Sequence, residues 1–195
     1  MRLVVGALKG GTGKTTTAVL LALQLARDAP TVLIDGDGQG SACTWARLAE
    51  ETWPVELTVV SWVERMTMPP AWGGHVVVDL GPGNPARLRT ALRHADTALI
   101  PIGSRRADVV QLGETVRTVE DVAAHQPLAW ACMLTMVRLS TKAAREAPAV
   151  IERDYPLLRS VVPLSESIAA AFGTVPDRVP GAYRQVFEEI TGAEQ

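Results

Sequence analysis

The sequence predicts a three-layer α/β domain in which a mostly parallel central sheet is flanked by helices, with residues 1–195 forming a single domain. Short runs of β-branched residues alternate with helical patterns along the chain. Several of these runs are apolar at consecutive positions, as a parallel sheet that is covered on both faces requires. The length of 195 residues and the apolar content of 47% suit one hydrophobic core.

The predicted elements follow one another in a regular order. In open α/β sheets, ligands bind outside the carboxyl ends of the strands, so functional residues are expected where the strands end. The predicted strands are Val4–Leu8, Thr31–Ile34, Leu57–Ser61, Val76–Val78, Ala98–Pro101, Ala131–Thr135 and Val161–Pro163. The predicted helices are Lys14–Arg27, Ser41–Glu50, Pro85–His94, Val109–Ala124, Thr141–Tyr155, Ser165–Phe172 and Ala182–Thr191.

Composition and charge exclude several classes of protein. The two cysteines, Cys43 and Cys132, are far apart and form no CxxC pair, which disfavours a disulfide framework and a zinc or iron–sulfur site. A formal net charge of −2 argues against a surface that is basic overall. The most apolar stretches, such as Ala18–Ala26, are shorter than the roughly 20 residues of a membrane span. Because a strand pattern begins at Leu3, no signal peptide is expected, and a cytoplasmic location follows.

The clearest motif is the glycine-rich segment Lys9–Thr16, Lys-Gly-Gly-Thr-Gly-Lys-Thr-Thr. It fits the G-x-x-x-x-G-K-[ST] phosphate loop when the pattern is read from Leu8, and it lies between a strand and a helix, as the motif requires. Its glycines let backbone N–H groups approach phosphates, Lys14 is placed to reach the β- and γ-phosphates, and Thr15 is placed to bind Mg²⁺. The residues predicted to bind the nucleotide here are Gly10, Gly11, Thr12, Gly13, Lys14, Thr15 and Thr16.

Three aspartates follow predicted strands. Asp35 and Asp37 are two residues apart at the end of one strand, so both side chains point the same way on an extended chain. A capping or turn role for this pair is the alternative. Asp79 ends the apolar run Val76–Val78, in a Walker B-type arrangement that would hold Mg²⁺ through water. The Gly-Pro-Gly that follows Asp79 suits a loop that responds to the γ-phosphate.

The order of these motifs resembles the deviant Walker A ATPases of the ParA/MinD/Soj family. The resemblance rests on Lys9, which an ordinary phosphate loop does not need, and on Asp35-Gly36-Asp37-Gly38-Gln39-Gly40, which is similar to the family's Asp-x-Asp-Pro-Gln-Gly box, with Gly38 in place of proline. It implies that Lys9 reaches across an ATP-bound homodimer to the partner's phosphates. It also implies that Asp37 positions or activates the attacking water, and that Asp35 supports the water shell of the metal.

The resemblance extends over nearly the whole chain. The strand ending at Pro101, with Asp108 after it, follows the family pattern, although Gly-Ser-Arg-Arg replaces the usual Pro-Ser-Pro. Met136 and Pro163 correspond to the segments that border the nucleotide, and Arg138 corresponds to an arginine in the loop after that strand. The short length resembles the small plasmid-type, ParF-like partition proteins.

Among members of this family, the sequence favours DNA partition. The acidic C-terminal segment Val186–Gln195 disfavours the membrane helix of MinD-like members. The resemblance implies an ATP-dependent, nucleoid-associated homodimer that binds DNA without sequence preference and is released when a small ParB-like activator stimulates slow hydrolysis. Candidate DNA contacts are Arg138, Lys142 and Arg145. The alternatives are an ATPase that positions a protein cargo, such as a carboxysome or chemoreceptor cluster, and a MinD-like or dethiobiotin-synthetase-like enzyme.

Overall fold

In the computed structural model, which describes residues 1–62 and 73–192, seven strands form one sheet in the order β3-β2-β4-β1-β5-β6-β7. Every pairing between these strands is parallel. The strands are β1 (Arg2–Val5), β2 (Thr31–Gly36), β3 (Leu57–Ser61), β4 (His75–Leu80), β5 (Thr97–Ile102), β6 (Ala129–Val137) and β7 (Leu157–Pro163). The helices are α1 (Lys14–Leu25), α2 (Ser41–Leu48), α3 (Pro85–Leu92), α4 (Arg106–Val110), α5 (Leu112–Ala123), α6 (Lys142–Ile151), α7 (Glu166–Ala169) and α8 (Gly181–Thr191).

Two hydrophobic clusters, one on each face of the sheet, explain the apolar strands. In β1, Leu3 and Val5 pack into the cluster that contains residues of α1, α2 and α8. Val4 packs into the opposite cluster, which contains residues of α3, α5 and α6. Because successive side chains of a strand alternate between the two faces, both sets of positions must be apolar in a covered sheet. The predicted three-layer domain with a parallel sheet is therefore confirmed.

Some predicted boundaries were wrong. The first strand was predicted as Val4–Leu8, but β1 is Arg2–Val5, because the chain leaves the sheet after Gly6 to form the glycine-rich loop. The single helix predicted over Val109–Ala124 is two helices, α4 and α5, which meet at Gln111. The helix predicted over Ser165–Phe172 is confined to α7.

The strand order places β1 in the middle of the sheet and determines the surroundings of its loop. The loops that follow β2 and β4 lie on one side of the β1 loop, and the loops that follow β5, β6 and β7 lie on the other. None of the helices in the described part of the chain is long and apolar enough to cross a membrane.

Candidate nucleotide-binding site

The loop between β1 and α1 has the backbone of a phosphate-binding loop. Gly11 and Gly13 adopt φ values of 70° and 74°, in the left-handed region, where a side chain would be strained. Gly13 directly precedes α1, whose first turn contains no acidic residue, so the positive end of the helix is left uncompensated. Such a helix terminus attracts anions.

Lys14 is the buried cation of the loop. The residue is only 6% exposed, and its Nζ donates a 2.7 Å hydrogen bond to the carbonyl of Lys9 across the loop. Burial lowers the pKa of Lys14, while the negative charges of Asp79 and Asp37 act in the opposite direction. The structure thus brings the lysine together with two of the three aspartates that the sequence singled out.

Two threonines to which the sequence assigned no role anchor the loop at its ends. The Thr115 hydroxyl on α5 accepts a 3.1 Å hydrogen bond from the N–H of Leu8. The buried Thr135 hydroxyl on β6 donates a 2.8 Å hydrogen bond to the carbonyl of Thr12. Both residues are distant in sequence from the loop, so their role depends on the tertiary fold.

Asp79 is the buried carboxylate of the site. It is fully buried at the end of β4, and neither carboxylate oxygen has a hydrogen-bond partner among the described residues. Burial raises the pKa of Asp79 to about 7, although Thr15 and Lys14 favour the charged form. The Thr15 hydroxyl lies close to Asp79 without completing a hydrogen bond of normal geometry. Two unpaired acceptor oxygens fit a hydrated Mg²⁺ ion.

Asp35 and Asp37 organise the loop after β2. The two oxygens of the buried Asp35 carboxylate accept hydrogen bonds from the N–H groups of Asp37 (3.2 Å) and Cys43 (2.9 Å). The half-buried Asp37 accepts a 3.0 Å hydrogen bond from the N–H of Gln39 and lines the same cleft as the phosphate loop. The turn role considered for this pair is therefore present, and Asp37 nevertheless faces the cleft. The predicted contribution of Asp35 to a metal's water shell stays a prediction.

Lys9 lies at the other side of the loop, where it forms an ion pair with Asp108 of α4. The Lys9 side chain is 29% exposed and that of Asp108 is 11% exposed. Asp108 also accepts a hydrogen bond of 3.2 Å from the N–H of Arg105, which fixes the carboxylate at the start of α4. The sequence identified Asp108 only as part of the family pattern after the strand that ends at Pro101, and it did not predict this pair, because the partners are 99 residues apart.

A second cleft, of about 310 Å³, opens on the Lys9 side of the loop. Its walls include Met136, Arg138 and Leu164. Met136 has a φ of 53°, unusual for a residue with a side chain, and lies where the register of β6 against β7 shifts. Met136 lines this cleft, and on β7 the residue that lines it is Leu164, next to Pro163 at the end of the strand. The predicted contacts of Met136 and Pro163 with the nucleotide stay predictions.

The three candidate DNA contacts lie close together in the chain after β6. Arg138 follows the strand and lines the second cleft, and Arg145 donates a 3.2 Å hydrogen bond to the carbonyl of Ser140. Lys142 begins α6, is 79% exposed in its side chain and forms an ion pair of 3.4 Å with Glu146. The three basic residues are thus adjacent, with one acidic neighbour.

These features define a P-loop nucleotide-binding domain. They are a parallel sheet, a glycine-rich loop after its central strand, a buried lysine in that loop, and a buried aspartate at the end of the neighbouring strand β4. Residues 3–175 match the family model described as CobQ/CobB/MinD/ParA nucleotide binding domain, and the chain belongs to this family.

Two relatives and one solved structure illustrate the similarity. The chain is 38% identical over 118 residues, 55% of its length, to a maintenance of carboxysome distribution protein A from Gloeobacter kilaueensis, and the match spans about half (51%) of that relative. It is 29% identical over 159 residues to a protein ParA from Rhizobium radiobacter, covering 78% of this chain and 68% of the relative. A putative plasmid partition protein from Borrelia burgdorferi, solved bound to AMPPNP, superposes with a TM-score of 0.82 at 16% identity, with 99% of each chain covered.

Proposed function

We propose that this protein is a DNA-partition ATPase that forms a homodimer when it binds ATP and Mg²⁺, binds DNA without sequence preference as that dimer, and is released when hydrolysis is stimulated by a small ParB-like activator. The observation that carries the proposal is Lys9. It lies beside a complete phosphate loop and opposite the acidic loops, and within residues 1–62 and 73–192 its side chain makes no ion pair other than that with Asp108.

The phosphate loop and Lys14 bind the nucleotide in this proposal. The positive-φ glycines Gly11 and Gly13 let the backbone approach the phosphates, and the α1 terminus and Lys14 supply positive charge. Thr15 and Asp79 hold the hydrated Mg²⁺, with Asp35 as an outer contact. When bound, Mg²⁺ neutralises charge on the phosphates.

Asp37 and Lys9 act on the hydrolytic step. Asp37 accepts a hydrogen bond from the attacking water and orients it, so that the water oxygen bonds to the γ-phosphorus while the bond to the bridging oxygen breaks. ADP leaves, one proton of the water stays on the phosphate and the other passes to solvent. Lys9 of the partner neutralises charge that develops during this transfer, as an arginine finger does. Without a partner this contribution is missing, so basal turnover is expected to be slow.

ATP turnover and dimerisation test the nucleotide part of the proposal. The chain contains only three lysines, so the one outside the phosphate loop can serve as a control. We expect Lys9→Ala to bind a fluorescent ATP analogue normally but to stay monomeric in light scattering, and Asp37→Ala to bind ATP and remain dimeric without turnover. Lys142→Ala is the matched control, because it removes an exposed lysine from α6 and should dimerise normally. An ATP-dependent dimer of Lys9→Ala, or normal turnover by Asp37→Ala, would contradict the assignments.

The DNA-binding surface is tested separately. Reversing Arg138, Lys142 and Arg145 to Glu should abolish ATP-dependent, salt-sensitive binding to nonspecific DNA, because phosphate contacts dominate such binding. The control reverses three exposed arginines elsewhere in the chain and makes the same change in net charge. If both triple variants lose DNA binding equally, the loss reflects net charge, and the proposed DNA-binding surface is wrong. The control residues are Arg47, Arg93 and Arg117.

A second candidate function is the positioning of a protein cargo, which the 38% identity to the carboxysome distribution protein favours. The ATP-dependent dimer and its DNA contacts are the same in both functions, and only the activator differs. The two are separated by the activator that stimulates turnover: a protein that itself binds a specific DNA site supports partition, and one that binds a protein assembly supports positioning.

A further inference from the structure

Arg87 joins two of the loops at the site, and it is a residue to which the sequence assigned no role. It lies in the first turn of α3 and is half-buried. Its Nη1 donates a hydrogen bond of 2.9 Å to the carbonyl of Gly36, the last residue of β2. This carbonyl belongs to the peptide group that also carries the N–H of Asp37.

The same peptide group is held at its other end. The N–H of Asp37 donates a 3.2 Å hydrogen bond to the buried carboxylate of Asp35. The carbonyl is therefore fixed by a cation on α3 and the N–H by an anion on β2. Rotation of this peptide would break both hydrogen bonds, so the direction in which the Asp37 side chain leaves the backbone is set by Arg87 and Asp35 together.

Close backbone packing around this peptide leaves little room for adjustment. A Cβ atom added to Gly36 would lie 2.7 Å from the carbonyl oxygen of Asp79. A Cβ atom added to Gly81 would lie 2.9 Å from Oδ1 of Asp37 and 3.1 Å from its Cα. The contact at Gly36 is with backbone, so glycine is required there, whereas a Cβ atom at Gly81 would force Asp37 to shift. Asp37 therefore rests directly on the loop that follows β4.

Arg87 is itself placed by that loop. Asn84 caps α3 by accepting a 2.8 Å hydrogen bond from the N–H of Arg87. The N–H of Gly83 donates a 2.9 Å hydrogen bond to the carbonyl of Leu8 at the start of the phosphate loop. A continuous chain of hydrogen bonds thus runs from the phosphate loop through residues 83–87 to the peptide of Asp37.

We propose that Arg87 is a positioning residue that sets Asp37 through the Gly36 carbonyl and couples the loop after β4 to the loop after β2. The inference rests on the proposed hydrolytic role of Asp37. In this proposal Arg87 acts through the backbone, by its hydrogen bond to the Gly36 carbonyl. A charged, planar donor suits this task because it makes a strong and directional hydrogen bond to a carbonyl.

Steady-state kinetics separate this role from a general effect on the fold. We expect Arg87→Gln to lower kcat for ATP about 10-fold, because small displacements of a water-orienting group are costly to the rate, while the affinity for an ATP analogue changes less than about 2-fold. Arg87→Lys should recover part of kcat, since an ammonium group can still donate to the carbonyl. Arg89→Gln is the control: it lies on the same helix but pairs with the exposed Asp121.

Amide hydrogen exchange tests the link without any turnover. The N–H groups of Gln39 and Gly40 bond to Asp37 at 3.0 Å each, so Arg87→Gln should lower their protection about 10-fold. In Arg87→Gln, protection of the Gly83 N–H should not change. In Arg89→Gln, protection of the Gln39 and Gly40 N–H groups should not change. Unchanged protection at Gln39 and Gly40, or a fall in kcat matched by an equal loss of affinity, would overturn the inference. If the wild-type protein hydrolyses no ATP, the proposed function fails, and the exchange measurement still decides whether Arg87 positions this loop.

Discussion

The two sides of the phosphate loop are built in opposite ways. On the side of β2 and β4, carboxylates crowd together, and Asp79 is buried with both oxygens unpaired among the described residues. On the side of β5 and β6, the charged residue Lys9 is satisfied within the chain by Asp108, and the cleft wall is partly apolar, with Met136 and Leu164 half exposed.

This difference shows on which side a ligand finds an unpaired group to bind and on which side it must displace an existing ion pair. A cation on the first side would pair with a buried carboxylate that has no hydrogen-bond partner in the part of the chain that the structure describes, so its binding would remove a destabilising feature. On the second side, any new partner for Lys9 must compete with an ion pair that already exists. The first side therefore presents oxygen ligands that suit a metal ion, whereas Lys9 on the second side is already paired.

Removing the cation between the two sides should have the largest effect on nucleotide affinity. Lys14→Ala leaves the phosphates without the buried ammonium that crosses the loop, so we expect affinity for an ATP analogue to fall at least about 100-fold. Isothermal titration calorimetry measures the loss, with Lys142→Ala as the control. Binding that stays within about 3-fold of wild type would mean that the loop glycines alone bind the nucleotide.

Asp79→Asn tests the acidic side through stability. The folded pKa of Asp79, about 7, lies above its ordinary value of 3.8, so the folded state keeps a proton that the unfolded state has lost. Stability of the nucleotide-free protein should therefore fall as pH rises from about 4 to about 7, by on the order of 3–4 kcal/mol from this group alone.

The variant should abolish that pH dependence, raise the melting temperature at pH 7.5, and lose the stabilisation that Mg²⁺ with ATP gives the wild type. Differential scanning fluorimetry with and without Mg-ATP measures all three effects. Asp121→Asn, which removes an exposed carboxylate, should behave as wild type. A lower melting temperature for Asp79→Asn at pH 7.5 would show that the carboxylate is satisfied in the nucleotide-free protein.

Asp108→Asn tests the opposite side. It removes the intramolecular partner of Lys9 in both protomers, so ATP-dependent dimerisation should occur at about 30-fold lower protein concentration, the change expected from about 1 kcal/mol of competing interaction per protomer. Analytical ultracentrifugation with a non-hydrolysable ATP analogue measures this shift, with Asp121→Asn again as the control. Weaker dimerisation would indicate that Asp108 belongs to the dimer contact itself.

Thr135→Val should produce the smallest effect. The substitution keeps the volume but removes the hydroxyl that donates to Thr12, leaving a carbonyl of the loop without this donor. We expect a loss of about 1 kcal/mol in unfolding free energy and a 2- to 5-fold loss in nucleotide affinity. Thr118→Val, which removes a buried hydroxyl that bonds within α5, should cost similar stability with no loss of affinity. Equal affinity in the two variants would show that the loop needs no anchor on this side.

The sequence predicted the parts of the molecule that depend on local pattern. The alternation of apolar runs and helices determined the fold class, and the spacing in Lys9–Thr16 located the loop. Boundaries failed where apolar residues leave the sheet, as at Leu8, which looks like strand but begins the loop. The ion pair of Lys9 and the contact of Arg87 with Gly36 were not predicted, because their partners are 99 and 51 residues away and depend on the order of the strands.

Glu189 on α8 has a consequence for the association of copies of the protein. Its carboxylate accepts hydrogen bonds from the N–H groups of Arg159 (2.7 Å) and Ser160 (3.0 Å) and from the Ser160 hydroxyl (2.7 Å), on the outermost strand of the sheet. Burial raises the pKa of Glu189, but these donors outweigh it and hold the pKa below its ordinary value. The carboxylate thus covers backbone donors of this outermost strand, and its protonation in strong acid would weaken that cover against pairing with another copy.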